Sequence, residues 1–289
     1  MNWNPVFEKE IKKNTRSVRI SWIVFGCNLL LGAIALICFF GESSIRGYMT
    51  PASYTMPMRC YMIMAYLLFF LMLLTIPLVA GASISLEREK RTLDLLLTTH
   101  LNPWKIIIGK LEASLSIIFV IAFSAMPALS LITVFGGVGL LDLLVLVAIL
   151  LVSGVFVGSI GIFCSVMFKR TTVAALMSYL LVVIFVVGTI AVVAMGYYLQ
   201  FLRGGDFWAA PDTGPWIYLF LLNPFLTFFG LLSHQLGSGR ELMMLCGLFG
   251  GYERDWLVQH MVPMSVAIQL LLSVLFLVAA GRKLNPLKK

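Results

Sequence analysis

The chain has 289 residues and a formal charge of +8; 60% of it is hydrophobic and 12% charged, where a soluble domain is roughly 45–50% apolar and about 25% charged. A water-soluble fold of this composition would expose far more apolar surface than such proteins tolerate. Disordered, collagen-like, disulfide-stapled secreted and ordinary cytosolic enzyme classes are excluded, leaving an all-α polytopic membrane protein.

The chain opens with Asn4-Pro5, a helix cap followed by proline in the first turn. Phe7, Ile11 and Val18 then recur at helical spacing, with Glu8, Lys9, Lys12, Lys13, Arg16 and Arg19 on other faces. This pattern predicts an amphipathic helix over residues 1–19 lying on the inner membrane surface. A hydrocarbon core about 30 Å thick needs about 20 apolar residues per crossing. Apolar runs of that order, five of them free of charge, predict six transmembrane helices, at 20–40, 61–84, 106–134, 143–168, 172–198 and 261–280. Lys110 and Glu112, near the start of the third, must sit at headgroup level or face protein. The first apolar run is long enough to span, so it is expected to act as an uncleaved insertion signal.

Between the second and third spans lies SLEREKRTLDLLLTTHLNPW, residues 85–104. Glu87 with Arg91 and Lys90 with Asp94 are i, i+4 pairs, and Leu86, Leu93, Leu96 and Leu97 form an apolar side, so a short amphipathic helix is expected there. Asn102-Pro103 ends it and caps the next helix. Such a helix suits either a lipid surface or a groove on a cytosolic partner.

The outer connection, residues 199–260, is long and only partly polar. Residues 216–232, broken by Asn223-Pro224, and 241–250 are read as re-entrant or surface helices forming an outer lid.

Basic residues fix the topology. With six spans and both termini cytoplasmic, 16 of the 21 Lys and Arg fall inside and seven of 13 acids outside, giving +10 against −2. A seventh span at 216–232 would send Arg282, Lys283, Lys288 and Lys289 outward. The tryptophans fall at predicted boundaries (Trp3, Trp22, Trp104) or in the outer connection (Trp208, Trp216, Trp256), as membrane-interface residues do. The positive charge therefore reads as positive-inside topology, and no nucleic-acid partner is expected.

Several motifs have plain explanations. Cys27, Cys38, Cys60, Cys164 and Cys246 lack metal spacing and read as small buried hydrophobes, with a Cys60–Cys246 disulfide left open. Met49, Met56, Met58, Met62 and Met64 cluster near Cys60, where soft ligation of Cu(I) competes with apolar packing among 15 methionines, and packing is favoured. Gly154, Gly158 and Gly161 form a small-residue face for close helix association, within or between chains. Gly109-Lys110 lacks the rest of a phosphate loop, His100, His234 and His260 are scattered, and no serine elbow is present. No metal site or bound cofactor is expected in this chain, and no catalytic residue is assigned.

The segments NPVFEKEIKKNTR and SLEREKRTLDLLLTTHLNPWKIIIGK, the six-span plan and the Asn-Pro-Phe of the last outer loop resemble the type 2 family of ABC exporter permeases. Arg91 stands where that family often has glycine, and His100 where it often has proline. The resemblance implies a single transmembrane domain over residues 1–289 in the cell membrane, expected to be a bacterial inner membrane. It implies that residues 85–104 are a coupling helix for a separate ABC ATPase, with Glu87, Arg88, Glu89 and Thr92 as polar contacts and Leu93, Leu96 and Leu97 as the apolar anchor. Two permeases, identical or sibling, would join two ATPases, which hold the ATP and Mg. The path between the halves would use spans two and five, where Tyr66, Thr75, Ser178, Tyr179 and Thr189 are polar lining candidates. Uncharged spans suit an amphipathic or apolar cargo such as a drug, peptide or lipid-like molecule. The residues alone also admit an ATP-independent transporter or channel, or a membrane scaffold that recruits a partner.

Overall fold

The computed structural model describes residues 5–15, 18–45, 55–93, 103–134, 138–202, 214–235, 245 and 260–284, and every regular element among them is helical. In chain order these are α1 (Pro5–Thr15), α2 (Val18–Ile45), α3 (Thr55–Glu89), α4 (Pro103–Val134), α5 (Leu140–Met167) and α6 (Thr171–Val183). A π-helical turn (Ile184–Gly188), α7 (Thr189–Leu202), a 3-10 helix (Gly214–Leu222), α8 (Pro224–Gln235) and α9 (Met261–Leu284) complete the set. Among the described residues five helices, Met58–Glu89, Pro103–Ser130, Leu140–Met167, Thr171–Leu199 and Met261–Leu284, are long and apolar enough to cross a membrane. Within α2 the apolar stretch Ser21–Ile37 is shorter. With the large apolar side chains that the helices expose, among them Trp22, Phe70, Phe123, Leu141 and Leu176, this is a multi-pass membrane protein.

The described residues form two compact units, residues 1–178 with 273–289, and residues 179–272. In the first, α5 packs against α3 and α4, and α2 against both of the latter. The small-residue face of α5 makes this possible. A Cβ at Gly154 would lie 3.1 Å from Ile76, one at Gly158 would lie 2.7 Å from Leu111, and one at Gly161 would lie 2.7 Å from Ala80 and 3.1 Å from the Gly81 backbone nitrogen. The association that the glycines predict is thus realised within the chain. The amide of Asn28 in α2 donates to the Ser124 hydroxyl of α4 at 2.9 Å, a polar tie in apolar surroundings. At the start of α5 the Asp142 carboxylate accepts the Gly139 N–H at 2.8 Å, satisfying one donor of the helix start.

Two sequence expectations need correction. Of the helix predicted over residues 1–19, Pro5–Thr15 is described as α1 and residues 16–17 lie outside the described residues, while Val18, read as part of its apolar side, belongs to α2, where it is exposed. Moreover α1 packs against α4 and α2, and it is Val6, absent from the predicted apolar set, that is buried. Residues 85–104 are not one helix: α3 runs straight through Ser85 to Glu89, so the charged start of the segment is the last turn of a long membrane helix. The continuous i, i+4 spacing concealed this break, because a helix stop depends on backbone conformation more than on apolar periodicity.

In the second unit Val193, Ile217, Phe220, Leu221, Leu226 and Met261 form the core, with Leu245 packed against it. The 3-10 helix and α8 meet at 86° across Asn223. Nine 3-10 residues and 12 α-helical residues each rise about 18 Å, so neither arm alone crosses a bilayer core of about 30 Å.

Candidate functional site

Two polar constellations stand out against the apolar background. The first is built at the end of α3. This helix closes with a Schellman motif: Thr92 N–H donates to the Glu87 carbonyl at 2.9 Å and Arg91 N–H to that of Arg88 at 3.1 Å. Arg91 consequently takes the left-handed conformation, φ 54°, that glycine adopts without strain. Helical backbone resumes at Leu93.

Successive residues on an α-helix point about 100° apart, and the last turn of α3 uses this to grip three different helices. Glu87 Oε1 pairs with the Lys110 ammonium of α4 at 2.9 Å. Arg88 Nη1 donates to the Val166 and Phe168 carbonyls at the end of α5, at 3.2 and 3.3 Å. Glu89 accepts from the Thr171 N–H at 2.9 Å and, through its other oxygen, from the Thr171 hydroxyl at 2.8 Å, at the start of α6. A cation meets a helix C-terminus and a carboxylate a helix N-terminus, both in the favourable sense of the helix dipole. Backbone groups are tied as well, since the Ser165 hydroxyl of α5 accepts from the Ile84 and Ser85 N–H groups at 2.8 and 3.0 Å.

Lys110 is the centre of this knot. It is 2% exposed and donates to the Ser83 carbonyl at 3.0 Å while pairing with Glu87 and, at 3.4 Å, with Glu10 of α1. Of the two sites open to it, headgroup level or the protein interior, it takes the interior, as an ammonium in an apolar setting must when carboxylates are within reach. Glu8, on the far side of α1, has its carboxyl held below the ordinary range by the hydrogen bond and charge of Lys12.

The second constellation is neutral. The π-helical turn after α6 widens the helix, and Asn223 meets it: its amide nitrogen donates to the Val186 carbonyl at 2.9 Å and to the Thr189 hydroxyl at 3.0 Å. The amide oxygen accepts the Phe225 N–H at 2.9 Å, capping α8. Further along, Thr227 and Ser265 share a hydrogen bond, Gln269 Nε2 donates to the Thr227 hydroxyl at 2.8 Å, and Ser265 donates to the Leu221 carbonyl at 2.7 Å.

The named candidates are distributed as follows. Glu87, Arg88, Glu89, Thr92 and Leu93 come together at the end of α3, with Glu87 and Leu93 buried or nearly so and Thr92 exposed. Leu96 and Leu97 lie outside the described residues, as do Met49 and Cys246. Phe7 and Ile11 are half-buried on α1. Tyr66, Thr75 and Tyr179 are partly exposed. Ser178 is buried and donates to the Ala174 carbonyl, close against Gly81; Thr189 is buried on Asn223. Cys27, Cys60 and Cys164 are buried, and Met64 is fully so. Among the described residues no group of His, Cys, Asp and Glu is arranged for a metal. Glu10, Thr227, Ser265 and Gln269 carry much of the polar structure without having been singled out, and Asn223 was read only as half of a break. Polar residues at positions 265, 269 and 273 of an otherwise apolar span, one turn apart, were the signal available.

A family model described as ABC-2 family transporter protein matches residues 5–280, nearly the whole chain. No curated protein matches it at a significant level.

Proposed function

The chain belongs to the ABC-2 family of transporter proteins, and from that premise we propose that it exports an amphipathic or apolar cargo under the drive of separate ATPase subunits. The family makes it a membrane permease of an ABC transporter, located in the plasma membrane and not itself catalytic. The working unit in this proposal is two permeases, identical or sibling, with two ATPases, and the ATP and Mg held by the ATPases supply the closing force.

The segment from Lys90 to Leu97 is the lever. Its root is the last turn of α3, and the observation that carries the proposal is the three-way grip of that turn. Glu87 holds α4, Arg88 holds the end of α5 and Glu89 the start of α6. A push delivered to that root moves three helices together, since packed helices shift as bodies more readily than they deform. In this proposal Glu87, Arg88 and Glu89 serve as the fulcrum, while the exposed Lys90, Arg91 and Thr92 and the side chains of Leu96 and Leu97 meet the ATPase. Leu93, 5% exposed, packs the lever onto its own chain.

The path is assigned to α3 and to the helix containing α6 and α7, with Tyr66, Thr75 and Tyr179 offering partly exposed polar groups and Ser178 and Thr189 lending structure. Neutral lining favours apolar or amphipathic cargo over a small ion, and export follows from the resemblance to exporter permeases. The test is copurification. Leu96→Asp with Leu97→Asp is expected to abolish recovery of the ATPase with the permease while membrane insertion is unchanged; undiminished recovery would overturn the coupling assignment.

A further inference from the structure

A cavity of about 170 Å³ opens beside the ion cluster, with Glu10, Ser83, Glu87, Lys110 and Ser114 in its wall and Val79, Leu86 and Ala113 among its apolar lining. On this measure one water needs only about 10–15 Å³, so the space is large enough for a small molecule or a headgroup. Of the charged residues lining it, two are carboxylates and one an ammonium.

Its donors are already spent. The Lys110 ammonium has three hydrogens and three acceptors, on Glu10, Glu87 and Ser83. The Ser83 hydroxyl donates to the Ala80 carbonyl at 2.8 Å and the Ser114 hydroxyl to the Lys110 carbonyl at 2.9 Å. What these groups have left is lone pairs. Glu87 Oε2 is buried and accepts no hydrogen bond from any described residue, which for a carboxylate oxygen is costly. Through Glu87, Ser83 and Ser114 the polar wall therefore offers lone pairs and no free hydrogen, with the buried carboxylate oxygen Glu87 Oε2 foremost among them. An anion would find no donor there.

We infer that this cavity is a binding site for a primary ammonium group, which has three donors, no acceptor and a positive charge. The apolar part of the wall takes the carbon to which the nitrogen is attached. A free alkylamine and the ammonium of an ethanolamine phospholipid present the same chemistry. The inference does not depend on the transport proposal, because binding is read on the permease alone.

The experiment uses the full chain in nanodiscs of phosphatidylcholine, whose quaternary headgroup has no N–H, and follows the thermal unfolding midpoint. Ethylammonium chloride is expected to raise the midpoint saturably, whereas tetramethylammonium and potassium chloride at equal ionic strength leave it in place. Glu87→Gln, which puts a donor into the acceptor wall, is expected to raise the half-saturating concentration about tenfold or more, as loss of a charged hydrogen-bond partner does. Ser114→Ala and Ala113→Leu leave the ion cluster intact and so keep the test sound if Glu87→Gln does not fold; the first is expected to weaken binding about threefold, and the second to abolish it by filling the space. Phosphatidylethanolamine in the discs separates the sources: a lipid occupant raises the midpoint without added amine and blunts the response to ethylammonium, whereas a free-amine site responds equally in both discs. Absence of an ethylammonium shift in the phosphatidylcholine disc, an equal shift with potassium, or folded variants that respond like the parent would overturn the assignment.

Discussion

The knot around Lys110 and the network around Asn223 hold helices together by opposite means. The first uses formal charge: one ammonium at 2% exposure, two carboxylates at 14% and 15%, and an arginine and a glutamate at neighbouring helix ends. The second uses neutral amides and hydroxyls, each bond of modest net value. A charged cluster tolerates no partial loss, because removing one ion strands the others away from water, whereas a neutral network loses one bond at a time. In the proposed coupling scheme the charged knot would transmit a push as a unit, whereas the neutral network lies at a π-helical turn, a feature often found at functional sites.

The largest effect expected from this contrast is at Lys110. Lys110→Met should lower stability by about 3–5 kcal/mol, seen as a depressed unfolding midpoint of the purified protein, and adding Glu87→Gln should restore part of the loss. A simple additive loss in the double variant would show that the pair is not coupled. Helix contact comes next: Gly161→Leu drives a side chain into Ala80 and the Gly81 backbone and should cost about 1–3 kcal/mol, while Gly32→Ala, with nothing within 4 Å, should be neutral or slightly stabilising in the same assay. On the neutral side Asn223→Ala removes two donors and a helix cap, for about 1–3 kcal/mol; a loss as large as that at Lys110 would erase the distinction between the two regions. The smallest change has the opposite sign. Arg91→Gly relieves the left-handed conformation at φ 54° and should stabilise by about 0.5–1 kcal/mol after the entropy of the added glycine is counted, measurable as a small rise in midpoint.

Much of this was legible beforehand. Long apolar runs announce membrane helices, since hydrocarbon thickness converts directly into residue count. Asn223-Pro224 marks the bend between the 3-10 helix and α8, and the glycines of α5 mark a close contact. Less legible was the fate of Glu87, Arg88 and Glu89, whose spacing looks like the polar side of a free helix. They are instead the last turn of α3, turned inward on three neighbours. The glycine frequent in the family at the position of Arg91 was the available clue, because a residue that favours glycine there is a helix stop. Asn223 was noticed only as half of a break, although a side chain with two donors and an acceptor beside an apolar span needs partners.

The amino-acid order alone determined that this is a membrane protein of long apolar helices, because that outcome depends on local composition and the fixed rise of a helix. Tertiary structure decided which charges meet. Lys110, Glu10 and Glu87 are separated by many residues, and only helix packing brings them within hydrogen-bond range, where exclusion of water makes their pairing obligatory.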